Sequence, residues 1–448
     1  MSYRFDSTHV EPACHTPFPS KLVALYDSIG SFIKRVADSA RVNRVCVGLS
    51  VQGRRQVFRF QRDCTQDSGS ADRFHASCMI KPMISSLVLD IADRGFLDID
   101  SPIGEYIPEL RNTTKGNDIR LSHLLSHTGG YAGITSGVQI RDESERVALF
   151  NTVARARQLF FPGTVFSYEL SSTLLVQEIL ANVTKESVSE LLYDTVLAPL
   201  HLDATDSIRE EADGANRVEK NLWLPYRLRF SVEDLLTLGE AYLGSLPNSG
   251  TPQPKCLRTL DSLSRQAITI PRVVGGRAWA VLPTFHGMGF AGFRRGLVGQ
   301  DGTSKNDVVG LRLHPSRKVV IAIGLDSHIP IIRREILDGI IDRLGLPEDS
   351  ATRVSSEQFH LDDIVGTYVG NDGWHVEVQP SPNGIQLAIY VANRELIRLT
   401  GKIKGHNHIA FNHPDASLEP AFFRNPSQDA ETCIMMGICA LKRVAGGI

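Results

Sequence analysis

The chain has 448 residues, of which 42% are hydrophobic and 22% are charged, as in an ordinary globular protein. This length allows a large core and two or three folding units. The formal net charge of −2 gives no electrostatic attraction toward nucleic acid or an anionic membrane surface, so we expect neither as a partner.

The cysteine content and the N-terminal segment both bear on where in the cell the protein is located. The seven cysteines form no C-x-x-C pair, and their odd number argues against a disulfide framework. The first residues contain no apolar segment typical of a secretory signal, and no apolar run reaches 18 residues. We therefore predict a cytoplasmic protein.

The first predicted elements are a helix and a β-hairpin. Residues 20–36 carry apolar side chains at helical spacing. Residues 44–52 and 55–61 read as two strands joined by a turn at Gly53. A helix, a hairpin and then a second helix is the predicted order at this end of the chain.

The second helix begins close to Cys78. Pro82 has no backbone N–H, so it is tolerated only in the first turn of a helix. Cys78 then lies at the N-terminal end, where the helix dipole favours an anion, and Lys81 lies on the same face. Gly95 ends the helix, and its apolar positions are Met83, Ile84, Leu87, Val88 and Ile91.

Later segments divide the chain into three parts. The middle region alternates helical patterns with loops, and a short helix is expected at 231–236. From about Phe285 the pattern is that of strands, at 286–293, 308–315 and 318–326, followed by a helix at 329–345. We predict a catalytic domain at 1–346, a polar linker at 347–358 and a small all-β domain at 359–448.

The segment FHASCMIKP, residues 74–82, resembles the S-x-x-K motif of the serine β-lactamase and penicillin-binding-protein superfamily. In the class C and esterase branches a Phe commonly lies four residues before the serine. Phe74 and Lys81 keep that spacing, and Cys78 stands where the serine would be. Residues 98–110 and 121–131 resemble further signatures of the superfamily. Ser77 is an alternative nucleophile, but Lys81 follows it by four residues, whereas the lysine of the S-x-x-K motif follows the serine by three.

The second and third motifs of the resemblance are altered. FPGTVFSYEL, residues 161–170, keeps Tyr168 but has Leu170 where the family has Asn. The third motif, normally [KH]-x-G, reads Gln300-Asp301-Gly302. Leu170 cannot contact a substrate amide, and Gln300 offers only neutral hydrogen bonds. Both changes argue against penicillin recognition.

The resemblance implies a role for each motif residue. Cys78 is the expected nucleophile, with Lys81 as the ion-pair partner of its thiolate and Tyr168 as the proton shuttle. The expected substrate-facing or oxyanion positions are Gln300, Asp301, Gly302, Thr303 and Glu169, with the backbone N–H groups of Cys78 and Thr303 as oxyanion donors. For Glu169 we favour a solvated surface charge over an added base, and for His127 a structural role.

The predicted fold is α+β, with an antiparallel sheet flanked by helices, a helical lobe and a C-terminal β domain similar to the lipocalin-like domains of some family members. The predicted activity is acyl transfer through an acyl-Cys78 thioester, from a small-molecule or peptide donor to an amine, alcohol or water. No cofactor or metal is required. The alternatives are an esterase or amidase of the same family, and an inactive ligand-binding homologue.

Overall fold

The structure is a computed structural model that describes residues 4–10, 20–62, 72–134, 140–202, 214–246, 253–271, 282–327, 330–347, 359–382, 384–391, 393–403, 409–411, 420–425 and 431–444. All of the predicted linker except Pro347 lies outside these residues. Within these ranges no helix combines the length and the apolar character needed to cross a lipid bilayer.

Helices form where the sequence predicts them. The helix at Ser231 is capped reciprocally, because the Ser231 hydroxyl accepts from the Asp234 N–H and the Asp234 carboxylate accepts from the Ser231 N–H. The helices are α1 Ser20–Ser39, α2 Ile80–Asp93, α3 Thr114–Asp118, α4 Leu121–Leu125, α5 Glu143–Arg155, α6 Leu170–Thr184, α7 Val188–Leu192, α8 Leu224–Arg227, α9 Val232–Tyr242, α10 Leu260–Ser264, α11 Pro330–Arg343 and α12 Leu361–Ile364.

The strands are grouped mainly near the start of the chain and in its last third. They are β1 Arg4–Val10, β2 Arg44–Val51, β3 Arg54–Gln61, β4 Phe74–His75, β5 Arg229–Phe230, β6 Ile268–Thr269, β7 Phe285–His286, β8 Ala291–Gly292, β9 Val298–Thr303, β10 Val308–His314, β11 Val319–Leu325, β12 Gly366–Val369, β13 Trp374–Ser381, β14 Gly384–Val391, β15 Arg394–Ile403, β16 Ile409–Phe411, β17 Pro420–Arg424, β18 Thr432–Met436 and β19 Cys439–Val444.

One predicted strand is wrong in part. Residues 286–293 contain the last residue of β7 and the whole of the two-residue strand β8, because the Gly287 N–H donates to the Phe290 carbonyl and makes a turn between them. Strand β1 was not predicted, and it pairs antiparallel with β3.

The chain folds into two compact units that do not follow chain order. The first contains residues 1–93, 186–263 and 295–348, and the second contains 94–185, 264–294 and 349–448. In the first unit the strand order is β1-β3-β2-β11-β10-β9, with antiparallel neighbours. The N-terminal hairpin and the late strands therefore belong to one sheet, as predicted.

Helices cover both faces of this first sheet. On one face α9 packs so closely that a Cβ at Gly239 would lie 2.5 Å from Val320 Cγ1. On the opposite face lies α11, and its Gly339 in turn faces the ring of Phe32 on α1. Every residue of β10 and β11 is buried between these layers, so the two strands form the centre of the core.

The second unit ends in the predicted all-β domain. Its eight antiparallel strands have the order β16-β15-β14-β13-β12-β19-β18-β17, with β16 and β17 at the edges of the described sheet. One apolar core of this domain is formed by Ile364, Tyr368, Val376, Val378, Ile385, Leu387, Ile389, Leu399, Ile434, Met436 and Leu441. The mixed helix and antiparallel-sheet fold with a C-terminal β domain is confirmed.

A second cluster joins the C-terminal sheet to the segment that carries Tyr168. Phe160 and Phe166 from that segment pack with Phe423, Met435 and Ala440 from strands β17–β19. All five side chains are buried. Such apolar contacts hold the β domain and the tyrosine segment together in one compact unit.

We expect Gly339→Ala to destabilise the protein. In a helix interior this change normally raises stability by up to about 1 kcal/mol. The new Cβ would lie 2.1 Å from Phe32 Cζ, so the ring must move. We predict a net loss of about 1–3 kcal/mol in the free energy of unfolding, measured in urea. Adding Phe32→Leu should recover part of it, and a neutral or stabilising single variant would contradict this packing.

Candidate active site

The segment before Cys78 is fixed by a buried aromatic anchor. Phe74 pairs with Phe230 in a two-residue ladder and is fully buried. Its ring fills the space over Gly324 of β11, where a Cβ would lie 2.3 Å from Phe74 Cδ2. The next turn is tied down by the Ala76 N–H, which donates to the Leu228 carbonyl at 2.7 Å. The Phe of the motif is therefore a positioning residue.

Cys78 lies in a tight turn directly before α2. Residues 77–79 form one 3₁₀ turn, and α2 begins at Ile80. Ser77 adopts a left-handed backbone with φ of +47°, which is unfavourable for a residue with a side chain. Its hydroxyl donates to the Thr303 carbonyl at 2.8 Å. The turn leaves Cys78 partly exposed at the start of the helix.

Lys81 meets the sulfur of Cys78. Its Nζ donates to Cys78 Sγ at 3.2 Å, and the lysine is only 5% exposed. The three-residue step along the helix places both side chains on one face. An ammonium group at this distance favours the thiolate form of a cysteine.

Strand β9 approaches the cysteine turn through Gly302. A Cβ at Gly302 would lie 2.4 Å from the Ala76 carbonyl oxygen and 3.4 Å from Met79 Cγ. Only glycine permits this approach, which brings the Gly302–Thr303 peptide beside the turn that carries Cys78. Gln300 is mostly buried, and its Nε2 donates to the Asp301 carbonyl at 3.1 Å.

Asp301 faces away from the cysteine turn. Side chains alternate along a strand, so Asp301 points to the α11 face. There Arg312 donates to both carboxylate oxygens at 2.8 and 3.1 Å, and Arg333 Nη2 lies 3.0 Å from Oδ2. Burial raises the pKa of Asp301, but the two guanidinium groups outweigh it and hold that pKa at about 2. Asp301 is therefore part of the support of β9 and does not face Cys78.

Tyr168 lies in the second compact unit, where the C-terminal sheet holds its backbone. The Tyr168 N–H donates to the Ile438 carbonyl at 2.9 Å, and Asn371 Nδ2 donates to the Tyr168 carbonyl at 3.1 Å. The ring of His127 lies against the tyrosine ring with centroids 4.8 Å apart. Sequence reasoning missed Asn371, because it follows Tyr168 by some two hundred residues and belongs to no motif.

Glu169 is a correction to the sequence interpretation, because it is 2% exposed and so is not a solvated charge. Its carboxylate accepts from Ser171 Oγ at 2.6 Å and also from Ser172 Oγ. It packs directly against Gly133, where a Cβ would overlap Oε2. The first turn of α6 supplies these hydroxyl donors, which explains how a carboxylate is accommodated in the interior.

The structure thus brings Cys78, Lys81 and the Gln300–Thr303 strand together in the first unit. Tyr168 and Glu169 belong to the second unit. In the part of the chain that the structure describes, no group of three His, Cys, Asp or Glu side chains is arranged to hold a metal ion.

Comparisons with known proteins identify the family to which the chain belongs. The family described as Beta-lactamase matches residues 31–323. Penicillin-binding protein 4 of Amycolatopsis lactamdurans is 23% identical over 67% of this chain and 85% of its own length. Esterase EstB of Burkholderia gladioli is 29% identical over 23% of this chain and 30% of its own length. The solved structure of SurE with D-Leu superposes with a TM-score of 0.70 at 20% identity, covering 94% of this chain and all of SurE.

The match to the family profile spans the cysteine turn, the tyrosine segment and most of the first sheet. Its relatives include penicillin-binding proteins and esterases, so the family comprises acyl-transferring and hydrolytic enzymes. The chain belongs to the beta-lactamase family.

Proposed function

We propose that this protein transfers acyl groups through a thioester on Cys78. The observation that carries the proposal is the 3.2 Å contact between Lys81 Nζ and Cys78 Sγ. A mostly buried lysine beside a partly exposed sulfur is the environment expected of a reactive thiolate. The close approach of Gly302 to the cysteine turn supports the Thr303 N–H as a second oxyanion donor beside the Cys78 N–H.

In the proposed first step the thiolate of Cys78 adds to the acyl carbon, and the carbonyl π electrons move to the oxygen. The N–H groups of Cys78 and Thr303 stabilise that oxyanion. Collapse of the intermediate breaks the bond to the leaving group, which takes a proton from the Tyr168 hydroxyl. The products are an acyl-Cys78 thioester and a Tyr168 phenolate.

In the proposed second step an amine attacks the thioester carbonyl. The amine loses its proton to the Tyr168 phenolate, and the intermediate collapses to an amide with release of the Cys78 thiolate. Both residues return to their starting state. A thioester reacts with amines more readily, relative to water, than an oxygen ester does, which favours transfer over hydrolysis.

The substrate class is proposed to be an amino-acid-bearing or peptide acyl donor in specialised metabolism. Similarity over the full length of SurE, which was solved with D-Leu, supports that class. Leu170 and Gln300 replace the polar residues expected for penicillin recognition. A hydrolase acting on esters is the second candidate, which the similarity to esterase EstB favours.

A thiolate nucleophile works best in a reducing compartment, so we propose a cytoplasmic location. No disulfide joins any two of the five described cysteines, Cys46, Cys78, Cys256, Cys433 and Cys439.

Intact-mass spectrometry after incubation with an aminoacyl N-acetylcysteamine thioester tests the nucleophile. We expect one acyl adduct, absent in Cys78→Ala and retained in Cys14→Ala and Cys439→Ala. Adding an amino acid amide to the acylated protein should give amide product faster than acid. Acid as the main product would favour the hydrolase, and the absence of any adduct would favour an inactive binding protein.

Lys81→Met should slow the alkylation of Cys78 by iodoacetamide at pH 7 by about tenfold, because less of the sulfur is present as thiolate. The difference should shrink above about pH 9, where the thiol ionises unaided. Peptide mapping across pH measures this rate. Lys115→Met is the matched control, since Lys115 is another mostly buried lysine whose Nζ donates to the Ala154 carbonyl. If the alkylation rate of Cys78 depended on pH in the same way in Lys81→Met and Lys115→Met, the proposed ion pair between Lys81 and the Cys78 thiolate would be contradicted.

Gly302→Ala should lower the acylation rate of Cys78 by about 100-fold, because small displacements of reacting groups carry a large kinetic cost. The added Cβ meets a backbone oxygen of Ala76, which cannot rotate away. Stopped-flow acylation is the measurement. Gly299→Ala is the control, since it strains the same strand against the Leu311 carbonyl. A control that slows acylation equally would show that general strain in β9 explains the loss.

A further inference from the structure

Arg333 is a buried cation to which the sequence motifs assign no role. It lies on α11 and is only 2% exposed. Its Nη1 donates to the carbonyls of Gly302 and Val309, at 2.9 and 3.0 Å. These two residues are partners in the β9–β10 ladder, so one guanidinium group bridges both strands at the position of the third motif.

The carbonyl of Gly302 and the N–H of Thr303 belong to the same peptide group. In a trans peptide the C=O and N–H point in opposite directions. A cation that binds the oxygen draws electron density from the nitrogen and makes the N–H a stronger donor, because hydrogen bonds polarise one another. Arg333 therefore acts directly on the peptide whose N–H is the proposed oxyanion donor.

Neighbouring residues fix the position of the Arg333 side chain. A Cβ at Gly310 would lie 3.1 Å from both Arg333 Cδ and Asp301 Oδ1, so this glycine makes room for the stem of the arginine. Asp301 pairs with Arg333 at 3.0 Å and with Arg312 at 2.8 Å. Two guanidinium groups therefore share the carboxylate of Asp301 behind strand β9.

The charge of Arg333 persists at neutral pH. Burial and the neighbouring Arg312 lower the pKa of Arg333, Asp301 and Cys78 raise it, and the outcome is about 10.

We propose that Arg333 is a positioning residue of the oxyanion hole, which orients and polarises the Gly302–Thr303 peptide without touching the substrate. The inference rests on the proposed acyl-Cys78 chemistry. It predicts that Arg333 influences reactions that pass through a tetrahedral oxyanion. Direct displacement at the sulfur forms no oxyanion, so it should not depend on the hydrogen bonds of Arg333 as long as the charge is kept.

The experiment compares Arg333→Lys and Arg333→Met with the unaltered protein in three measurements. The first is acylation of Cys78 by an oxygen ester, and the second is acylation by the matching thionoester, in which C=S replaces C=O. The third is alkylation by iodoacetamide. Sulfur is a weak hydrogen-bond acceptor, so the ratio of the two acylation rates reports the strength of the oxyanion hole.

We expect the Arg333 variants to lower acylation by the oxygen ester by about tenfold, since the donor is weakened and not removed. The preference for the oxygen ester over the thionoester should shrink. Alkylation in Arg333→Lys, which keeps the charge, should stay within about twofold. If Arg333→Met does not fold, Arg333→Lys decides the question.

Arg334→Lys is the matched control, because the described structure gives its neighbouring guanidinium no hydrogen bond to the carbonyl of Gly302 or Val309. It should behave like the unaltered protein. An unchanged ester-to-thionoester ratio in the Arg333 variants, or the same change in Arg334→Lys, would overturn the inference. Failure of the unaltered protein to form any acyl adduct would instead reject the proposed function.

Discussion

The contact between strand β9 and the turn that carries Cys78 is the constraint on which the candidate site depends. Because residue 302 is a glycine, the strand can lie against the turn: a Cβ at this position would be only 2.4 Å from the Ala76 carbonyl oxygen. The turn is held from its other side by Phe74, whose ring occupies the space over Gly324. Two glycines on two strands of one sheet thus fix a single short segment, and the cysteine takes its position from them.

Much of this arrangement follows from the sequence, because it depends on local spacing. The step from Cys78 to Lys81 and the first-turn position of Pro82 determine how the helix presents its sulfur and ammonium groups. The hairpin, the late strands and helix α11 follow from periodicity and turn residues. The secondary structure of residues 286–293 is harder to predict, since a glycine-rich apolar segment can form either a strand or a turn.

Partners of the buried charges could not be predicted in the same way. Asp301 and Glu169 have similar carboxylates in similar motif positions. The first is held by arginines from a neighbouring strand and a distant helix, and the second by two serines in the following turn. Sequence spacing shows that a carboxylate is present, but only the fold shows which donors surround it. Arg333 was missed for the same reason, since an arginine on an amphipathic helix normally indicates a surface.

The attachment of Tyr168 to the C-terminal sheet has a consequence for biosynthesis of the chain. The backbone of Tyr168 can make its hydrogen bond to Ile438 only after the ribosome has synthesised the chain through Ile438. Contacts this distant in sequence form late in folding. Cys78 and Lys81, which lie three residues apart in the turn and the helix that follows it, come together without waiting for that hydrogen bond. In the nascent chain the Cys78–Lys81 pair therefore forms before the backbone of Tyr168 is fixed, so synthesis of the C-terminal β domain determines when the tyrosine segment becomes ordered.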